Sequence, residues 1–231
     1  MKRLAISGLL LVASSPCFSY PTLHKRANVS SSDIDILQFA LAAEHLENAF
    51  YTQGLKNFTL QDFWNANFSE HLFNDVRNTA ADEATHVQFL EKTIASFGAR
   101  ANLACSYDFP VNSVQDFITT ARLLESLGVS AYLGQVANLQ NPNLTTVAGT
   151  IVTVESRHAT VYQKALQRTT GGPTNAAFDL PLGSVEVVSA LQQFITSCPP
   201  GTDSKIVALP SLSLDTTPPT GSNFTTLAES T

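Results

Sequence analysis

Basic residues are scarce in this chain. Lys and Arg number 13 against 19 Asp and Glu in 231 residues, a formal charge of -6. The first 26 residues hold four basic residues and no acidic one, so removing them takes the charge to -10. An acidic product of this kind is repelled by nucleic acid and by anionic membrane, which excludes both as partners. Beyond the N-terminus no apolar run is long enough to span a bilayer, so no transmembrane segment is expected. Strand signals are almost absent from residues 30 to 198, which leaves an all-α fold. Cysteine occurs three times, and Cys17 falls in the N-terminal leader. Only Cys105 and Cys198 then remain.

The leader begins Met1-Lys2-Arg3, continues through the short apolar run Leu4 to Ala13 and reaches small residues before Pro16. This reads as a secretory signal over residues 1–19. Residues 20–26 read as a propeptide ending in the dibasic pair Lys25-Arg26. In a secretory compartment Cys105 and Cys198 are expected to bond, and a bridge closing so long a loop contributes about 4 kcal/mol. The alternative is two buried free thiols. Sequons at Asn28, Asn57, Asn67, Asn143 and Asn223 are expected between or outside the helices, where glycans would not disturb a core. Residues 27–200 are expected to form the folded body. Residues 201–231, rich in Ser, Thr and Pro, are expected to be disordered and carry no lipid-anchor signal.

What is abundant is helical periodicity. Ile34, Leu37, Leu41, Glu44, Asn48, Tyr51 and Leu55 alternate spacings of three and four, the period of a bundle seam. Ser32 or Asp33 is the expected cap. A second helix is expected from Ser69 to Phe97 with Gly98 ending it, and a third from Ser113, with Asp116 completing an imperfect capping box. A fourth runs from Leu144 to Arg168, and a short fifth from Ser184 to Ser197 with Val185, Val188, Leu191 and Ile195 on one face. The extended stretch from Gly98 to Asn112 is long enough to cross the whole bundle, which would set the third helix parallel to the second. Its Cys105 would staple it to the segment after the fifth helix.

Six seam positions that should be apolar are not. They hold Glu44, Glu83, His86, Glu125, Glu155 and His158. Buried carboxylates cost several kcal/mol each unless compensated, and four of them with two divalent cations sum to zero charge. Glu83 and His86, like Glu155 and His158, form Glu-x-x-His pairs, which put carboxylate and imidazole one turn apart on one helix face. Two such helices, with single glutamates on two others, make the di-iron or di-manganese ligand set of ferritin-like bundles. Iron and manganese suit these hard ligands, and zinc fits the same set. The competing reading is a vestigial, metal-free polar cluster, for which the neighbouring cations Arg122 and Arg157 are too few.

The pattern also repeats. Glu44 is followed seven residues on by Tyr51, and Glu125 by Tyr132, and each such helix precedes one bearing Glu-x-x-His. The two halves read as copies about a pseudo-two-fold axis, with each phenol placed to hydrogen-bond a ligand carboxylate. Asp82 is placed either to orient a ligand histidine or to stay solvated. Glu47, at the seam edge, reads as a residue behind the ligands or at the surface sooner than as a ligand itself. His45 and His71 lie off the seams and read as ordinary surface or satisfied histidines.

Residues Asp35 to Tyr51, reading DILQFALAAEHLENAFY, resemble the first helix of a family of fungal stress-response and late sexual development proteins related to plant desiccation-related proteins. LESLGVSAYLG from Leu124 and VESRHA from Val154 resemble its third and fourth helices. The resemblance, over roughly residues 33 to 200, implies a ferritin-like four-helix bundle and a secreted fungal protein, without implying an activity. Two functions are then expected in competition. One is redox chemistry in which two metals act on dioxygen or peroxide. The other is a non-enzymatic secreted stress or cell-surface protein whose bundle binds metal structurally or not at all.

Overall fold

The computed structural model describes residues 30–170 and 177–202. The leader, the dibasic pair, Asn28, Asn223 and the tail beyond Thr202 lie outside the described residues. In chain order the elements are α1 (Ser31–Asn57), α2 (Leu60–Asn65), α3 (Glu70–Ser96), β1 (Ser106–Tyr107), α4 (Val114–Val136), α5 (Pro142–Thr170), α6 (Ser184–Leu191), a 3-10 turn (Gln192–Phe194) and β2 (Ile195–Ser197). The long helices α1, α3, α4 and α5 form the bundle, and none of the described helices is long and apolar enough to cross a membrane.

Local chemistry sets the helix starts. The cap of α1 is Ser30, one turn before Asp33, and the two side chains bond each other's backbone N–H in a capping box. Ser32 and Asp33 are therefore inside the helix. Asp33 is fully buried there because its other oxygen accepts from Gln140 N–H at 2.8 Å, tying α1 to the loop before α5. Ser69 caps α3, Ser113 caps α4, and Gly98 follows α3 with φ of 80°, the left-handed turn expected of it.

Contacts along the seams give the topology. Leu37 and Leu41 of α1 pack on Leu90 and Ile94 of α3, while further along α1 Phe50 and Tyr51 share a cluster with Leu72 and Val76. The two helices are antiparallel. Tyr51 reaches Glu125 and Tyr132 reaches Glu44, so α1 and α4 are antiparallel too. It follows that α3 and α4 run the same way, as the long crossover requires. That crossover is pinned along α1. Gln38 donates to Arg100 O at 2.7 Å and accepts from Asn102 N–H at 2.9 Å, and His45 Nε2 sits 3.2 Å from Asn102 O. His45 is thus a buried, satisfied histidine, while His71 is exposed.

Four features depart from expectation. The short helix α2, with its own capping box at Thr59 and Asp62, fills the connection from α1 to α3 and buries Phe63. The fifth helix stops at Leu191, and Ile195–Ser197 extends to pair antiparallel with β1 beside the Cys105–Cys198 disulfide. A two-residue strand carries no periodicity to read. Of the expected face Leu191 is buried and Val188 and Ile195 pack against the core, but Val185 is only half-buried, and Val187 and Phe194 supply the other buried side chains of α6 and its turn. Finally, Asn57 is the last residue of α1 and Asn143 lies in the first turn of α5, so only Asn67 among the described sequons falls between helices. Asn57 and Asn67 are exposed.

Candidate metal centre

The six polar seam residues converge at mid-bundle. Glu44, Glu83, Glu125 and Glu155 are each 0% exposed, and His86 and His158 are 9% and 8% exposed. Their ligand atoms form two overlapping quartets, Glu44, Glu83, His86 and Glu155, and Glu83, Glu125, Glu155 and His158, with all atoms of a quartet within 4.8 Å of one another. Glu83 and Glu155, the carboxylates of the two Glu-x-x-His pairs, belong to both. The single glutamates Glu44 and Glu125 belong to one each. Helical spacing explains this, since each Glu-x-x-His helix turns its pair inward as a unit.

Both imidazoles point Nδ1 into the centre. His86 Nδ1 lies 3.2 Å from Glu44 Oε2, 3.2 Å from Glu83 Oε2 and 3.3 Å from Glu155 Oε1. His158 Nδ1 lies 3.1 Å from both Glu125 Oε2 and Glu83 Oε1. One ring nitrogen carries at most one proton, so it cannot satisfy three oxygens. Accordingly Glu83 Oε1 and both oxygens of Glu155 are buried without a hydrogen bond. The expected cations do not help: Arg157 bonds Thr153 O on the exposed face of α5. Acceptors crowded together without donors are what a cation site looks like, and the donor set of carboxylates and imidazole fits hard divalent metals.

The electrostatics agree. Burial pushes Glu83 up to about 8, reinforced by Glu155 and Glu44. Burial likewise raises Glu155 well above the ordinary carboxylate range and raises Glu125, with neighbouring carboxylates adding to both. Glu44 is instead held low, because His86 outweighs its burial. Burial opposes charge on His158, yet Asp82, Glu125 and Glu83 push it up to about 12. A cluster that must take up protons to exist without metal is one that metal would relieve.

Around this centre lie the supporting residues. Asp82 Oδ2 is 3.1 Å from His158 Nε2, on the far side of the ring from the cluster, where it can fix ring and tautomer. The tyrosines bond crosswise: Tyr132 donates to Glu44 at 2.5 Å and Tyr51 donates to Glu125, each to the glutamate of the opposite half. Three contributors were not legible as site residues. Glu47, expected either behind the ligands or at the surface, is 3% exposed, which leaves the buried alternative. Tyr162 donates to Thr79 at 2.8 Å and stacks 6.1 Å from Tyr51. Gly128 leaves room for carboxylates. Only Glu47, one turn from Glu44, carried a signal. Beside the centre is a small apolar cavity of about 30 Å³, bounded by Ala40, Ala43, Gly128, Ala131, Tyr132 and Ala148 among others.

Comparison with known proteins gives the same fold. Residues 32–168 match the ferritin-like domain family. The chain is 27% identical over 210 residues to Protein rds1 of Schizosaccharomyces pombe, covering 90% of this chain and 49% of that protein, so it spans about half the relative's length. Among solved structures, a conserved hypothetical protein, rv2844, from Mycobacterium tuberculosis superimposes with a TM-score of 0.51 at 21% identity. That match covers 64% of this chain and 99% of the other.

Proposed function

We propose, for a chain that belongs to the ferritin-like domain family, that it is a secreted two-metal protein, using iron or manganese for redox chemistry on dioxygen. Glu44, Glu83, His86, Glu125, Glu155 and His158 would hold the metals, with Glu83 and Glu155 shared between them. The observation that carries this reading is the set of orphaned oxygens on Glu83 and Glu155 at the point where the two quartets overlap. When bound, the metals supply electrons to a small oxidant.

The chain's own residues do the rest. Tyr51 and Tyr132 donate to Glu125 and Glu44, which leaves the other oxygen of each glutamate free to face the centre. Asp82 holds the His158 ring with Nδ1 inward. The apolar cavity reaching Gly128 and Tyr132 favours dioxygen over peroxide, because a pocket of about 30 Å³ without polar partners admits a small apolar molecule and disfavours a polar one. Secretion is supported by the Cys105–Cys198 disulfide, a bond of oxidising compartments.

The test is metal analysis of the secreted protein together with oxygen and peroxide consumption. Two metals per chain and oxygen uptake are expected. Two metals without turnover would favour the non-enzymatic role, and a metal-free protein whose melting is unmoved by added iron or manganese would remove the metal reading.

A further inference from the structure

The pseudo-two-fold axis pairs Glu44 with Glu125, Glu83 with Glu155, His86 with His158 and Tyr51 with Tyr132. One turn beyond the first pair it fails, where α1 carries Glu47 and α4 carries Gly128. The two residues meet in space. A methyl group on Gly128 would stand 2.8 Å from Glu155 Oε2 and 3.1 Å from Glu47 Oε1. Both oxygens therefore reach into the volume that a side chain at 128 would fill.

Glu155 Oε2 is buried and has no hydrogen-bond partner. Its other oxygen faces His86 at 3.3 Å. Glu47 is 3% exposed, and the charges acting on it are those of Glu155, Glu125, Glu44 and Glu83. Two buried carboxylates that face one dry volume repel each other unless a proton or a cation lies between them. Gly128 leaves that volume open, where any larger residue would fill it.

We propose that Glu47 is a fifth carboxylate ligand, acting with Glu155 Oε2 in the space left by Gly128, so that the two metal positions are unequal. This rests on the two-metal reading above. Its consequence is electrostatic. Four carboxylates balance two divalent ions, whereas five leave one negative charge over, which one trivalent ion neutralises. A pair of one divalent and one trivalent ion would therefore be balanced by the five carboxylates, and Glu47 would favour the higher charge at the position it reaches.

The test uses the full mature chain, stripped with chelator and titrated with Mn²⁺ alone, with stoichiometry and affinities read by calorimetry and metal analysis. Wild type should bind two ions. Glu47→Gln, close in size and without the charge, should weaken one of them about tenfold or more while leaving the other within a few-fold. A role through the general field alone would weaken both alike. Gly128→Ala keeps every carboxylate and puts a methyl between Glu47 and Glu155, so it should weaken the same ion and stands in should Glu47→Gln not fold. Two ions bound as tightly by the variants as by wild type, or both weakened equally, would overturn the proposal while the two-metal reading stood. Failure of wild type to bind Mn²⁺ and, in a parallel anaerobic titration, Fe²⁺ would overturn that reading itself.

Discussion

The two ends of the bundle, related by the pseudo-symmetry, are packed in opposite ways. At the Tyr51 end Phe50 stacks on Phe117 with ring centroids 4.9 Å apart, Tyr162 stacks on Tyr51, and α2 adds Phe63. Gly54 is part of this fit, since a methyl there would collide with the Phe117 ring at 2.1 Å. At the Tyr132 end the matching positions hold smaller groups. Ala131 stands where Phe50 does, Ile36 where Phe117 does, Leu90 where Tyr162 does and Ala43 where Leu124 does, and all four line the apolar cavity. Ligands have kept the symmetry while packing has lost it. One end is filled, and the other leaves an apolar cavity beside the candidate ligands.

The largest expected effect is one that ignores this difference. Glu83→Ala removes a carboxylate shared by both quartets, so both metals should be lost, with affinity falling about a hundredfold or more. Metal analysis after dialysis checks it. Loss of one ion only would mean the quartets are less shared than their geometry shows. Next in size is Phe117→Ala at the filled end, expected to cost about 3–5 kcal/mol in denaturant unfolding, as for other buried aromatic truncations. The corresponding Ile36→Ala should cost less, because Ile36 already borders space.

How much of this was legible in sequence follows from the same contrast. Long amphipathic helices and six polar breaks in their seams are periodic signals, and periodicity survives in a single sequence. The helix starts at Ser69 and Ser113 and the stop at Gly98 are legible for the same reason, being local chemistry. What depended on three-dimensional neighbours was not readable. Glu47 and Gly128 gain meaning only when α1 faces α4, and Asp33 became a tie to Gln140 rather than a cap only once the loop before α5 arrived. The crosswise tyrosine bonds needed the antiparallel arrangement of α1 and α4. The strand pair β1–β2 is set by the disulfide and crossover, without any alternation of its own.

A pH series sharpens the centre itself. In metal-free protein Glu83, at about 8 against an ordinary 4.5, keeps its proton where the unfolded chain has lost it. His158, at about 12 against 6.5, does likewise over a higher range. Over this range the native state therefore binds more protons, so stability falls as pH rises from about 5 to about 8 and beyond, while Glu44, held low by His86, loses its contribution only at more acid pH. With metal bound the slope should reverse, because deprotonated ligands bind metal more tightly as pH rises. Melting curves with and without chelator at several pH values read the sign directly. Ala43→Leu then tests the cavity by giving the open end its counterpart's residue. It should keep both metals, alter stability by about 1–3 kcal/mol at most, and slow oxygen uptake several-fold.

The smallest effects belong to the tyrosines, and they separate the ends most finely. Tyr51→Phe and Tyr132→Phe each remove a hydroxyl that holds a glutamate, a loss of about 1–2 kcal/mol in either case if the bond alone matters. The surroundings differ. Behind Tyr51 lie the stacked ring of Tyr162 and the edge-on ring of Phe117, so Glu125 is expected to lose its donor outright and metal affinity beside His158 to weaken. Behind Tyr132 the cavity is bordered by Ala131 and Ala148. With the hydroxyl gone, a water entering there is expected to take over the bond to the uncovered Glu44 oxygen. Tyr51→Phe is therefore expected to reduce metal affinity more than Tyr132→Phe, and calorimetric titration of both variants in parallel measures the gap. Equal losses would mean that the openness of the Tyr132 end does not reach as far as the ligands.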